Sequence, residues 1–433
     1  MKFTGFMAVL WAAGVCMASS LIPTREENGR NVLDNRDTTI TPKVFIITLF
    51  PPERDAWLNS SNTASGFGDH LVEENITVPG FSPLYPDAHC TKDGSICLLT
   101  TGESEINAAT TITALMLSPL FDLRKTYFLI SGIAGVNPKQ ATIGDVAFAK
   151  YAVQVALQYE IDARELPSGY SSGYIPQGSH HPDQYPSSIY GTEVFEVNEA
   201  LRDMAIQLAS KAKISDTNIS TAYRKQYEAA GSIYTKGLRS PSVIKCDVVT
   251  SDVYFSGALL AEGFENTTKL FTNGSGTYCM TGQEDNAILG AMVRAAKAKL
   301  MDFARVIVMR AGSNFDRPPP GSVVFENLFY VTQGAFESCL LNLFSAGSLV
   351  VDGIVKGWGC TFENGVKADN YIGDIFGTLG GIPDFGPGSD FGDNPVQARA
   401  IGGRLVHSES VAGRKDGKGK WGAMVARTAN GNA

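Results

Sequence analysis

Cationic side chains are in the minority: 36 Lys and Arg stand against 44 Asp and Glu, for a formal net charge of -8 and a pI near 5.3. Such a chain presents no positive field to a phosphate backbone or an anionic lipid surface, so nucleic acid is not an expected partner. Histidine is scarcer still, with five in 433 residues. The pair His180-His181 has no third ligand at suitable spacing, and no metal centre is expected. Serine-hydrolase chemistry finds no support, and no cofactor is implied. Long apolar runs are also lacking after the first residues, because each candidate is interrupted by charge, Gly or Pro. The mature chain is therefore expected to have no transmembrane segment and to form no pore by itself.

What is present is a composition, 44% hydrophobic, that suits an ordinary globular core. At the start, Lys2 precedes an apolar run from Phe6 to Cys16 and a small-residue stretch through Ala18-Ser19-Ser20. The run is shorter than the ~20 residues of a spanning helix, so residues 1–20 are expected to be a signal peptide and 21–41 a flexible leader. Six further cysteines (Cys90, Cys97, Cys246, Cys279, Cys339 and Cys360) make an even number that suits an oxidising compartment without fixing a pairing. Sequons begin at Asn59, Asn75, Asn218, Asn266 and Asn273. Together these features imply a glycoprotein that is secreted or held at the cell surface.

From residue 42 the pattern is α/β. Val44 to Phe50 is a continuous apolar run of strand length, ended by Pro51-Pro52, with a helix expected from Glu53 to Leu58. Residues 59–86 read as a loop-rich excursion outside the core. Strands are expected at 95–100, 127–130, 143–149, 232–234, 246–250 and 306–310, and helices at 106–116, 194–212, 286–300 and over much of 327–349. Ser131 to Val136 reads as a tight small-residue turn, and 151–190 as an insertion over the sheet. The last part, 361–433, is Gly-rich and expected to be poorly ordered toward its end.

Short motifs at the strand ends fall in a distinctive order: IITLF with Glu53, then Thr101-Gly102-Glu103, ISGIAG from Ile130, IGDV from Ile143, QEDNA from Gln283 and RAGSN from Arg310. This order resembles the nucleoside phosphorylase and nucleosidase superfamily, and most the fungal purine nucleoside permease family. The resemblance implies an α/β/α sandwich over residues 42–360 with a mixed, largely parallel sheet. It also implies a purine nucleoside as ligand, cleavage of its N-glycosidic bond, a membrane carrier as candidate partner and homo-oligomers as the common assembly.

The same resemblance implies roles for individual residues. Asn314 would hold the departing base, and its amide, which both donates and accepts, suits a 6-oxopurine. Asp316 is a second candidate there. Glu284 would accept from the ribose 2′ and 3′ hydroxyls, with Gln283 beside it where Met is common. Glu53 would orient the attacking water. Gly132, Ala134 and Gly135 would let backbone approach the nucleoside, and Tyr254 and Phe255 would stack on base or sugar. Phosphorolysis would need an arginine on the strand before the Gly motif, where this chain has Leu129-Ile130, so water is favoured over phosphate; Arg54 and Arg124 are the remaining candidates. A cell-surface nucleoside-binding component of transport, without catalysis, is the alternative.

Overall fold

A computed structural model describes residues 39–59, 70–383 and 385. The expected signal peptide, most of the leader and the end of the Gly-rich tail lie outside these residues.

In chain order the elements are β1 (Val44–Thr48), α1 (Pro51–Leu58), β2 (Glu74–Thr77), β3 (Asp87–Cys90), β4 (Ile96–Thr100), α2 (Ser104–Leu117), β5 (Tyr127–Val136), β6 (Val146–Ala149) and β7 (Tyr151–Gln154). There follow β8 (Tyr159–Glu160), β9 (Tyr174–Ile175), β10 (Val194–Glu196), α3 (Glu199–Ala209), α4 (Asn218–Lys225), β11 (Val243–Lys245), β12 (Asp247–Thr250) and α5 (Ala258–Phe271). The chain continues through β13 (Tyr278–Gly282), α6 (Asp285–Lys297), β14 (Val306–Phe315), α7 (Val324–Phe329), α8 (Phe336–Lys356) and β15 (Gly373–Asp374).

Thirteen of the described strands form one mixed sheet, parallel along β4-β1-β5-β14 and again along β7-β12-β13, with antiparallel pairs toward the edges. This is the expected α/β class. Alternation on β1 explains the layers. Phe45 and Ile47 pack with Ile112 and Leu115 of α2 and with Ile288 and Met292 of α6. Val44 and Ile46 face the other way, toward Trp57 of α1, Leu201 of α3 and Leu343 of α8. A strand covered on both faces is apolar along most of its length, as Val44 to Ile47 is, and the buried Thr48 that ends β1 donates its hydroxyl to Leu99 O at 3.0 Å.

Several expected boundaries move for identifiable reasons. Ser131 to Val136 is not a turn: β5 runs unbroken through ISGIAG, and β14 likewise runs through RAGSN, because these two small-residue segments pair with each other. Small side chains let two buried strands and the side chains between them approach closely. Residues 151–154 belong to the sheet rather than to an insertion, and only the later part of that region, with the β8-β9 hairpin, lies off it. A Gly-x-Ser-x-Gly string, Gly169 to Gly173, sits in this hairpin and not on a strand-to-helix turn, so it is no nucleophile elbow. The excursion at 59–86 contains β2 and buries Leu71, Ile76, Val78 and Phe81.

Val194–Glu196 is a strand ahead of α3, with Asn198 as the side-chain cap that starts the helix. Residues 232–234 are 3-10 helix, not strand. The fold continues past residue 360, since β15 pairs with β10 and Ile375 and Phe385 are buried. Disulfides join Cys90 to Cys97 and Cys246 to Cys279, while Cys339 and Cys360 are free. By length and composition α8 is apolar enough to cross a membrane, a run missed in the sequence, but most of it is buried inside the fold.

Candidate functional site

The carboxyl ends of β1, β5, β12, β13 and β14 surround a cavity of about 290 Å3, the place where open α/β sheets hold ligands. Glu53 from the start of the fold and Glu284 and Asn314 from its later part all line it. Ala134, Gly135, Tyr254, Phe255, Gln283 and Asp316 line it too, whereas Gly132 does not.

Glu53 reaches the cavity because Pro51 and Pro52 open α1, where a missing N–H costs nothing. Its Oε2 accepts from the Leu49 amide at 2.8 Å, and its Oε1 crosses to β5 to accept from Ile133 N at 2.7 Å. It is a buried residue rather than a solvated first-turn acid. Burial pushes its pKa up to about 8, although the Arg310 charge and the two backbone donors oppose the shift.

Arg310 was not among the expected site residues, and it organises the floor. Its Nη1 donates to the Ile133 carbonyl at 2.9 Å, Nη2 to Glu284 at 3.0 Å and to Asp285 at 2.7 Å, and Nε to Asp285 at 3.2 Å. An arginine inside the apolar strand Val306-Ile-Val-Met-Arg was the available signal, since such a group is buried only when paired. Gly132 makes room for it: a Cβ there would stand 2.6 Å from Nη1. The glycine therefore serves the guanidinium's approach to the strand. Gly135 is similar, with its amide donating to Thr281 Oγ1 at 2.9 Å and a Cβ colliding with the same atom.

Glu284 is the residue just before α6, and each of its oxygens already has a protein donor outside that helix. Oε1 accepts from Ser104 N at 3.0 Å, and Oε2 from Arg310 and from Gln283 N at 3.2 Å. Ser104 has φ 81, the left-handed region a serine seldom occupies. The bond to Glu284 and a 2.6 Å bond from its hydroxyl to Asp252 hold it there. Gln283 turns its amide to the Asp252 carbonyl at 2.8 Å.

At the other end, the ladder between β5 and β14 slips between Gly312 and Asn314, leaving Ser313 as a bulge that re-aims Asn314. Asn314 Oδ1 accepts from Ser313 Oγ at 2.7 Å, while Nδ2 makes only a long 3.3 Å contact with Phe315 O. Tyr254 lies within bonding reach of the Asn314 amide and is otherwise exposed. Phe255 packs edge-on against Phe264 at 4.7 Å. Both oxygens of Asp316 are taken, by Tyr278 Oη at 2.5 Å and by Arg317 at 2.7 and 3.0 Å. Arg54 and Arg124 pair with Asp55 and Asp122 and do not line the cavity. Among the described residues there is no cluster of three or more His, Cys, Asp or Glu fit for a metal.

The sequence matches the model of the family described as purine nucleoside permease over residues 41–367. It is 48% identical over 372 residues to a purine nucleoside permease of Candida albicans, covering 84% of this chain and 88% of that one. It is 39% identical over 334 residues to a probable purine nucleoside permease of Schizosaccharomyces pombe, covering 75% and 92%. The chain belongs to the purine nucleoside permease family. Among solved structures, it is similar at a TM-score of 0.41 and 14% identity to a 5′-methylthioadenosine/S-adenosylhomocysteine nucleosidase of Colwellia psychrerythraea in complex with adenine, covering 73% of this chain and 96% of that one. A futalosine hydrolase of Helicobacter pylori gives the same TM-score and identity, covering 73% and 97%.

Proposed function

We propose that this family member binds a purine nucleoside in the cavity and cleaves its N-glycosidic bond with water. One observation carries the reading: Glu53, Glu284 and Asn314 line a single cavity at the strand ends. In this reading Glu284 accepts from the ribose hydroxyls through its unused lone pairs, and Asn314 faces the base. Nδ2 of Asn314, whose bond to Phe315 O is a long 3.3 Å, donates to the O6 of a 6-oxopurine. Water adds to C1′ as the C1′–N9 bond breaks, and the bonding pair leaves with the purine. Glu53, once ionised, takes the water's proton, and the freed base takes up a proton, so that nucleoside and water become purine and ribose.

Water is favoured over phosphate by the charge balance of the floor. Arg310 is the one Arg or Lys among the described lining residues, and four of its hydrogen bonds go to protein acceptors. A phosphate dianion would meet Glu53 and Glu284 with little cationic capacity to spare. Incubating the protein with inosine, with and without phosphate, tests this. Hypoxanthine release independent of phosphate is expected; release only with phosphate, or none from any nucleoside, would defeat it.

The second reading is a nucleoside-binding component of transport without catalysis, and it is favoured by the names of the fungal relatives. Uptake of an uncleavable nucleoside analogue distinguishes the two. Expression that raises such uptake supports transport, and an effect confined to cleavable nucleosides supports hydrolysis. In either reading four of the sequon asparagines, Asn59, Asn75, Asn218 and Asn273, are exposed, whereas Asn266 is half-buried with its amide on Pro182 O and Asp183. Secretion and glycosylation belong to this proposal.

A further inference from the structure

A second cavity of about 550 Å3 lies against the first, and the two share Tyr254, Ser313, Asn314 and Phe336. The first is at the small end of the range for ligand sites, and the second extends the space open to a ligand. The partition between them is thin. Tyr254 comes from an irregular segment and is largely exposed, and the Asn314 amide is held by a long contact to Phe315 O and by this exposed tyrosine. Beyond the partition Ile219, Phe315, Leu328 and Val331 supply an apolar stretch of wall, beside Thr217, Ser256, Thr332, Gln333 and Glu337. The wall carries one unmet polar group. Asn327 is 3% exposed, its Oδ1 accepts from Tyr223 Oη at 2.5 Å, and its Nδ2 has no partner among the described residues.

We propose that the second cavity takes an apolar substituent carried on the 6-position of the purine, joined through oxygen or nitrogen, so that the site's preferred ligands are 6-substituted purine nucleosides. The proposal rests on the assignment of Asn314 to the base. A group attached to the edge that Asn314 faces has to pass beside Asn314 and Tyr254, and the space on their far side is this cavity. An ether oxygen at that position keeps an acceptor for Nδ2, and an amine keeps a donor for Oδ1, so the amide serves either linkage.

Carbocyclic nucleosides, which lack the ring oxygen that would stabilise an oxocarbenium ion, persist during titration and serve as probes. Equilibrium Kd values are measured for carbocyclic inosine and adenosine and for their 6-O-benzyl and N6-benzyl derivatives. At least one derivative is expected to bind roughly tenfold tighter than its parent, and the arm that gains identifies the linking atom. Val331→Trp, which fills the second cavity from a partly exposed position, is expected to abolish the gain and to leave the parents within about twofold. Derivatives that bind equally to or more weakly than bound parents, or a Val331→Trp loss shared alike by parents and derivatives, would overturn this proposal alone. Failure of the parents to bind would overturn it together with the assignment of the first cavity.

Discussion

The two ends of the candidate site are built on opposite principles. At the floor, Glu53, Glu284, Asp285 and Arg310 are all buried, and each is fixed by hydrogen bonds of 2.7 to 3.2 Å from different strands and helices. At the mouth, Tyr254 and Asn314 are neutral, more open to water and lightly held. Charges removed from water must be paired or they destabilise the fold, so the floor is rigid and its geometry is set before any ligand arrives. The mouth has no such constraint, and its residues can discriminate between ligands at little cost to the fold.

The sharpest way to break this contrast is Arg310→Met. It leaves Asp285 and Glu284 buried without their counter-ion, and a loss of about 3–5 kcal/mol is expected in urea unfolding. A loss below ~1 kcal/mol would mean that the floor is not electrostatically built. Glu53→Gln comes next. Base release from inosine is expected to fall by roughly 10²- to 10⁴-fold, with nucleoside affinity little changed.

The same substitution also tests the pH linkage. Folding raises the Glu53 pKa from 4.5 to about 8, so the native state holds its proton more tightly than the unfolded chain. Its contribution is fully present below pH 4.5 and is lost as pH rises through 8, while activity that needs the ionised form rises over the same upper range. Thermal melts of the wild type against Glu53→Gln should show that slope removed, and parallel curves would refute the raised pKa.

Glu284→Gln is expected to reduce the preference for ribose over 2′-deoxyribose substrates by about tenfold, read as the ratio of their kcat/KM values. An unchanged ratio would remove Glu284 from hydroxyl recognition. The smallest effect belongs to the mouth: Tyr254→Ala should leave unfolding stability within about 0.5 kcal/mol while weakening nucleoside binding severalfold. If it destabilised the protein as much as Arg310→Met, the distinction between floor and mouth would collapse.

The sequence made the layers legible because strand burial on both faces writes itself as unbroken apolar runs, as in Val44 to Phe50 and Val306 to Met309. It made the convergence of Glu53, Glu284 and Asn314 legible only through the order of motifs, since no local pattern brings Glu53 to residues 231 and 261 positions further on. Two kinds of information were hidden. Ser131 to Val136 reads as a turn in sequence because glycine commonly marks one, whereas the small residues accommodate Arg310 and Thr281 against a continuing strand. Arg310 itself was passed over inside a strand, although its burial among apolar neighbours required a partner, and that partner, Asp285, stands 25 residues earlier in the chain.

The most direct test of the central claim is a structure of the protein with an uncleavable inosine analogue. The ribose hydroxyls are expected against Glu284, the base edge against Asn314, and C1′ facing the Glu53 carboxyl with room for one water between them. A nucleoside seated away from these three residues, or one whose C1′ turns from Glu53, would contradict it.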